Sequence, residues 1–168
     1  GVLRHCTEMK IERQFVDTHG QSLVAFAFCR LLGFELMPRL KTIGAHKLYR
    51  AEAGQAYPNL ALVMASRAID WELIEQHYDT MVKHAVAMKR GMADAESLLR
   101  RFARASAQHP AYRALTELGK ALKTIFLCRY LASEDLRREG NEGLNVVESW
   151  NAANGFIFYG RGGELSTN

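Results

Sequence analysis

The spacing of apolar positions changes along the chain, and each change predicts an element. Residues 9–16, MKIERQFV, alternate with Met9, Ile11 and Phe15 on one side and Arg13 interrupting, which predicts a half-buried strand. From Gln21 to Leu32 the period becomes helical, and Gly33 supplies a stop. That helix is apolar nearly all round (Leu23, Val24, Phe26, Phe28, Leu31, Leu32), so it is expected to be deeply buried. Residues 37–50, MPRLKTIGAHKLYR, contain no acid and are broken by Gly44, the pattern of a strand or extended loop. The turn-rich AEAGQAYPNL at 51–60 marks the best internal boundary.

Beyond that boundary the pattern is mostly helical. Asp70 is placed to cap a helix running to about Arg90, with Leu73, Ile74, Met81, Val82, Ala85 and Met88 apolar and Gly91 as its stop. A shorter helix is expected over 93–105. His109-Pro110 opens another, because proline is tolerated at the first helical position, and it continues through Leu115, Leu122 and Phe126 to about Ala132. Ser133 is a further cap, followed by Glu134 and Asp135 at the positive end of the helix dipole. Gly140 and Gly143 weaken this helix before LNVVESWNAAN resumes it, Gly155 closes it, and FIFY at 156–159 reads as a short strand before a glycine turn. The sum is a helix-rich α/β chain.

Composition narrows the class. A chain of 168 residues with 48% hydrophobic content builds one domain with a sizeable core. A net charge of +4 favours an anionic partner, though weakly. Cys6, Cys29 and Cys128 are odd in number and far apart, which predicts reduced, buried thiols in a cytoplasmic protein and no zinc site. The longest apolar run, Leu23 to Cys29, falls short of the roughly 20 residues that span a bilayer. The chain begins on Gly1 rather than a methionine, the pattern of a segment of a longer polypeptide or of a processed or tagged small protein.

Phosphate-loop, HExxH, GxSxG and CxxC motifs are absent, and the histidines (5, 19, 46, 77, 84, 109) include no i,i+4 pair. Acids remain. Asp17 follows a predicted strand and precedes a predicted helix. It can cap that helix, or it can stand at the carboxyl edge of a sheet, where α/β folds place ligands and where a carboxylate suits a hard cation such as Mg²⁺. Glu148 belongs to a helical stripe of Asn145, Glu148, Asn151 and Asn154, unusual because asparagine is a poor interior helix former; an exposed polar face accounts for it as well as a site does. Of two basic stretches, Lys83, Lys89, Arg90, Arg100, Arg101 and Arg104 lie on predicted helices and read as solvated surface. Arg39, Lys41, His46, Lys47 and Arg50, extended and free of acids, are the better candidates for DNA phosphates.

The stretches FVDTHGQS, AFAFCRLLGFELMPRLKTIGAHKLYR, IDWELI, LCRYL and EGLNVVESWNAANGFIFYGRGGE, in this order, resemble the carboxy-terminal catalytic region of the Tn-three family of bacterial replicative transposases. The resemblance covers essentially the whole chain. It implies a ribonuclease H-like core whose metal is held by three acids of the Asp, Asp, Glu type. The Asp of VDTHG is Asp17, the second acid, and the Glu of NVVESWN is Glu148, the third. It further implies a partial core at 1–50, a large all-helical insertion at 60–132, and a final segment at 133–168 bearing the catalytic Glu.

The chemistry that the resemblance implies is Mg²⁺-dependent phosphoryl transfer, with Mn²⁺ as a substitute: nicking at transposon ends, then strand transfer into target DNA. Asn145 and Asn151 would flank Glu148 against the DNA backbone. A bacterial, cytoplasmic enzyme that oligomerises in its full-length form is implied, with no membrane partner. The family's first acid stands on a strand upstream of Asp17, whereas the only acids before Asp17 here are Glu8 and Glu12. The chain alone is therefore expected to be inactive. Two rival readings are a non-catalytic DNA-binding or structural fragment, and a nuclease that recruits Asp70, Asp79 or Asp135 instead.

Overall fold

A computed structural model describes residues 12–16, 21–40, 42–92 and 109–159, with the side chains at 147, 150, 151 and 153–159 outside that description. It opens with strand β1 (Arg13–Val16), helix α1 (Leu23–Leu32) and strand β2 (Glu35–Pro38). β1 and β2 pair in parallel, with Arg13 opposite Glu35 and Val16 opposite Pro38, so the helix between them is the crossover a parallel pair needs. Ser22 caps α1 by accepting from the Ala25 N–H at 3.1 Å. Gly33 ends it at φ 96°, the left-handed conformation that costs glycine least.

α1 is apolar nearly all round, Arg30 apart, because it has a core on each side. Val24, Ala27 and Phe28 pack with Ile74, Met81 and Met88 of α2 (Trp71–Lys89) and with Ala114, Leu115 and Ala121 of α3 (Pro110–Ala132). Phe26 belongs to a second cluster with Leu36 and Met37 of β2, Leu48, Phe126, Leu127, Tyr130 and Leu136. Its ring stands 5.6 Å from that of Phe126, a tilted aromatic contact. Where α1 meets α3, Gly119 admits the backbone of Leu23: a Cβ at 119 would lie 2.0 Å from the Leu23 carbonyl oxygen.

Strands β3 (Leu48–Arg50) and β4 (Met64–Ala68) form a second parallel pair, with a register shift between Leu48 and Arg50. β4 corrects the expectation of an all-helical segment from residue 60. Met, Ala, Ser and Arg carry little β-propensity, and pairing with β3 outweighs the local preference there. This second pair is fastened to α3, since the Tyr49 N–H donates to Thr124 Oγ1 at 3.0 Å and the Lys120 ammonium lies over the Tyr49 ring. The α/β class and the helix-rich balance are as the sequence predicts.

The helix ends follow the sequence closely in the middle of the chain. Asp70 accepts from the Leu73 N–H at 2.9 Å, Pro110 opens α3, and Ser133 accepts from the Leu136 N–H at 3.1 Å. The expected short helix at 93–105 lies outside the described residues. The last helix, α4, differs from expectation: it runs unbroken from Glu134 to Tyr159, through Gly140, Gly143 and Gly155, and FIFY is helical rather than a strand. A short apolar run reads equally as strand or helix, and an interior glycine costs only about 1 kcal/mol. The thiols also differ. Cys29 is half-buried and Cys128 is exposed, while Cys6 lies outside the described residues.

Candidate functional site

α4 runs alongside β1, and side-chain contacts fix its register. Near the amino end of the strand, Arg13 donates to Glu139. The same guanidinium faces Glu35 across the strand pair at 3.9 Å, and Glu35 accepts from Arg129 of α3 at 2.9 Å. The hydrogen bond that Arg13 donates to Glu139 leads the causes that raise the Arg13 pKa. Further along, Gly143 lies against Phe15, whose ring atoms would come within 2.8 Å of a Cβ at that position.

This register carries Glu148 to the carboxyl end of the strand. From Glu139 to Glu148 the helix advances about 13 Å, while β1 from Arg13 to Val16 covers about 10 Å. Glu148 therefore stands just past Val16, the residue that immediately precedes Asp17 in sequence. Arg39 marks the same place from β2. Its backbone N–H donates to the Val16 carbonyl at 3.0 Å, and its Nη1 lies 3.6 Å from Glu148 Oε1. The Glu148 carboxylate is 64% exposed, on the same exposed surface as Asn145.

Among the described residues, Arg39 is thus the basic candidate that the structure brings to Glu148. Lys47 instead donates to the Leu62 carbonyl at 2.7 Å, which pins the turn between β3 and β4. Arg50 is half-buried on β3, with its Nε enclosed. His46 is half-buried, and its pKa is lowered by burial and by the neighbouring Lys123. Asp17, Lys41 and the side chain of Asn151 lie outside the described residues. Of the rival acids, Asp70 is committed to capping α2 and Asp135 pairs with Arg138 at 2.9 Å, while Asp79 is exposed. Among the described residues, no three His, Cys, Asp or Glu side chains converge on one point. No described helix is long and apolar enough to cross a membrane.

A family model described as Tn3 transposase DDE domain matches residues 1–168. The chain belongs to this family. The transposase for transposon Tn1546 of Enterococcus faecium is 32% identical over 98% of the chain, and that for Tn501 of Pseudomonas aeruginosa is 33% identical over 98%. The transposase for insertion sequence element IS1071 in transposon Tn5271 of Comamonas testosteroni is 35% identical over 96%. The chain spans 16% to 17% of the length of these relatives.

Within this Tn3 transposase DDE segment, the residue whose part sequence reasoning missed is Arg13. It interrupts the alternation of β1 and reads as a flaw in a strand, yet it is the tie between β1, β2, α3 and α4. Its ion-pair partners lie 22 and 126 positions away, at Glu35 and Glu139, and a strand-interrupting arginine is the one local sign of them.

Proposed function

We propose that this segment contributes the second and third carboxylates, Asp17 and Glu148, to the metal centre of a ribonuclease H-like DNA transposase. The observation that carries this reading is the register of α4 on β1. It brings Glu148 to the carboxyl end of a parallel strand pair, where the chain continues into Asp17, and that edge is where α/β folds gather ligands. Ser22 accepts the α1 cap hydrogen bond from the Ala25 N–H, so the helix has its cap at residue 22. The employment of Asp70 and Asp135 elsewhere weighs against a nuclease built on those acids.

The Glu148 carboxylate fits a hard cation: it offers oxygen donors and it is exposed. Divalent cations, Mg²⁺ or Mn²⁺, would supply activation of the attacking oxygen and charge stabilisation on the leaving one. The chain's own part is to hold Glu148 at a fixed depth through Arg13–Glu139 and Gly143–Phe15, and to present Arg39 and Asn145 toward a DNA backbone. Lys41, His46, Lys47, Arg50 and Asn151 extend that surface in the same reading. The reaction is end nicking and strand transfer into target DNA by a longer, oligomeric bacterial polypeptide, in the cytoplasm. The segment divides as core at 1–50, insertion at 60–132 and Glu-bearing end at 133–168. Without the upstream first Asp, the 168-residue chain has no cleavage activity of its own.

The test is end nicking and strand transfer by the full-length transposase carrying Asp17→Asn or Glu148→Gln. Each is expected to lose activity by on the order of 10³-fold while end binding persists. Retention of activity in either variant contradicts the assignment. Mg²⁺-dependent cleavage by the 168-residue chain would contradict its inactivity.

A further inference from the structure

The contact between Arg39 and Glu148 joins two side chains that the proposed function gives to different ligands, one to DNA and one to metal. At 3.6 Å the separation exceeds a normal N–H···O hydrogen bond, so charge alone holds the pair. Both side chains are partly exposed, at 38% and 64%, and such pairs are weak. A divalent cation held by Glu148 would bring twice the charge to the same oxygen, against which the guanidinium is the weaker partner.

The backbone of Arg39 is held, while among the described residues its side chain makes no hydrogen bond and is 38% exposed. Its N–H is bonded to Val16 O, and the preceding Pro38 is buried with its φ fixed by the ring. A guanidinium released from Glu148 therefore stays at the carboxyl edge of the β1–β2 pair. Its planar fork suits phosphate oxygens better than an ammonium does.

We propose that Arg39 is a metal-gated phosphate-positioning residue. It neutralises Glu148 in the metal-free protein, and its guanidinium turns to a DNA backbone phosphate once Glu148 holds a divalent cation. This rests on the reading of Glu148 as a metal ligand.

The experiment measures Mn²⁺ binding by calorimetry, and duplex DNA binding across a salt series with and without Mn²⁺. It compares the unaltered chain with Arg39→Gln, Arg39→Lys and Glu148→Gln. Arg39→Gln is expected to bind Mn²⁺ about threefold tighter, because a weak competitor is gone. It should also lose the Mn²⁺-induced gain in DNA affinity, with the salt slope falling by about one. Arg39→Lys, which keeps the charge, should restore most of both. Unchanged Mn²⁺ affinity in Arg39→Gln, with binding abolished in Glu148→Gln, overturns the gating proposal alone. Mn²⁺ binding that survives Glu148→Gln removes the reading beneath it.

Discussion

Glu148 on the last helix and Arg39 after the second strand meet at 3.6 Å although 109 positions separate them, and both stand at the carboxyl end of β1. The meeting is a consequence of packing rather than its cause. Arg39 is placed by a backbone hydrogen bond to Val16, and Glu148 by the register of α4 on Phe15 and Arg13. Arg39→Ala should therefore cost the fold no more than about 1 kcal/mol in a urea melt. A larger loss would show that the pair holds α4 in place.

Three glycines distinguish close approach from helix propensity. Gly119→Ala drives a Cβ into the Leu23 backbone, which cannot turn aside, and is expected to destabilise by at least about 3 kcal/mol. A Cβ added at Gly140 would meet no described atom within 4 Å beyond its own stretch of helix, so Gly140→Ala should stabilise by about 0.5–1 kcal/mol. Gly143→Ala presses on the Phe15 ring, a side chain that can shift, so its stability effect is smaller than that at 119. Thermal unfolding of the three variants checks the order.

The His46 pKa lies below its usual 6.5 through burial, aided by Lys123. The unfolded chain then takes up this proton at higher pH than the folded one. The contribution is flat above pH 6.5, and stability is lost as pH falls from there through the lowered folded value. His46→Gln should flatten that part of the stability–pH curve. An unchanged slope would assign it to other groups.

Burial pushes the Cys29 thiol up to about 12, whereas Cys128 is exposed on α3. At pH 7.5 iodoacetamide should label Cys128 in the folded chain and reach Cys29 only after denaturation, because the thiolate is the nucleophile. Peptide mass spectrometry reads both sites. Equal labelling of the two would contradict the burial of Cys29.

Much of the fold was legible because its signals are local. The caps at Asp70, Pro110 and Ser133 and the stop at Gly33 act within a turn of the helices they bound, and the nearly all-round apolarity of α1 announced burial on two sides. β4 was not legible, since its partner β3 lies across a long turn and its own residues favour helix. The extent of α4 was hidden by three interior glycines whose cost is small. For the site, the positions after β1 and on α4 were legible as an acid at a strand end and an unusual polar stripe. The Arg13–Glu139 and Gly143–Phe15 contacts that set their relative height were not, because contacts across more than 120 positions leave no periodic trace. The expectation of buried cysteines failed at Cys128 for a related reason: residue type alone does not say which face of α3 is left to solvent.

In the metal centre we propose, one divalent cation is held between Asp17 and Glu148. Fe²⁺ substituted for that cation, with ascorbate and peroxide, cuts the backbone beside the bound metal, and the cut sites can be read by mass spectrometry. Cuts are predicted at both positions, near 17 and near 148, each suppressed by competing Mg²⁺ and both lost in Glu148→Gln. Cuts near one position only, or a pattern unchanged in Glu148→Gln, would contradict it.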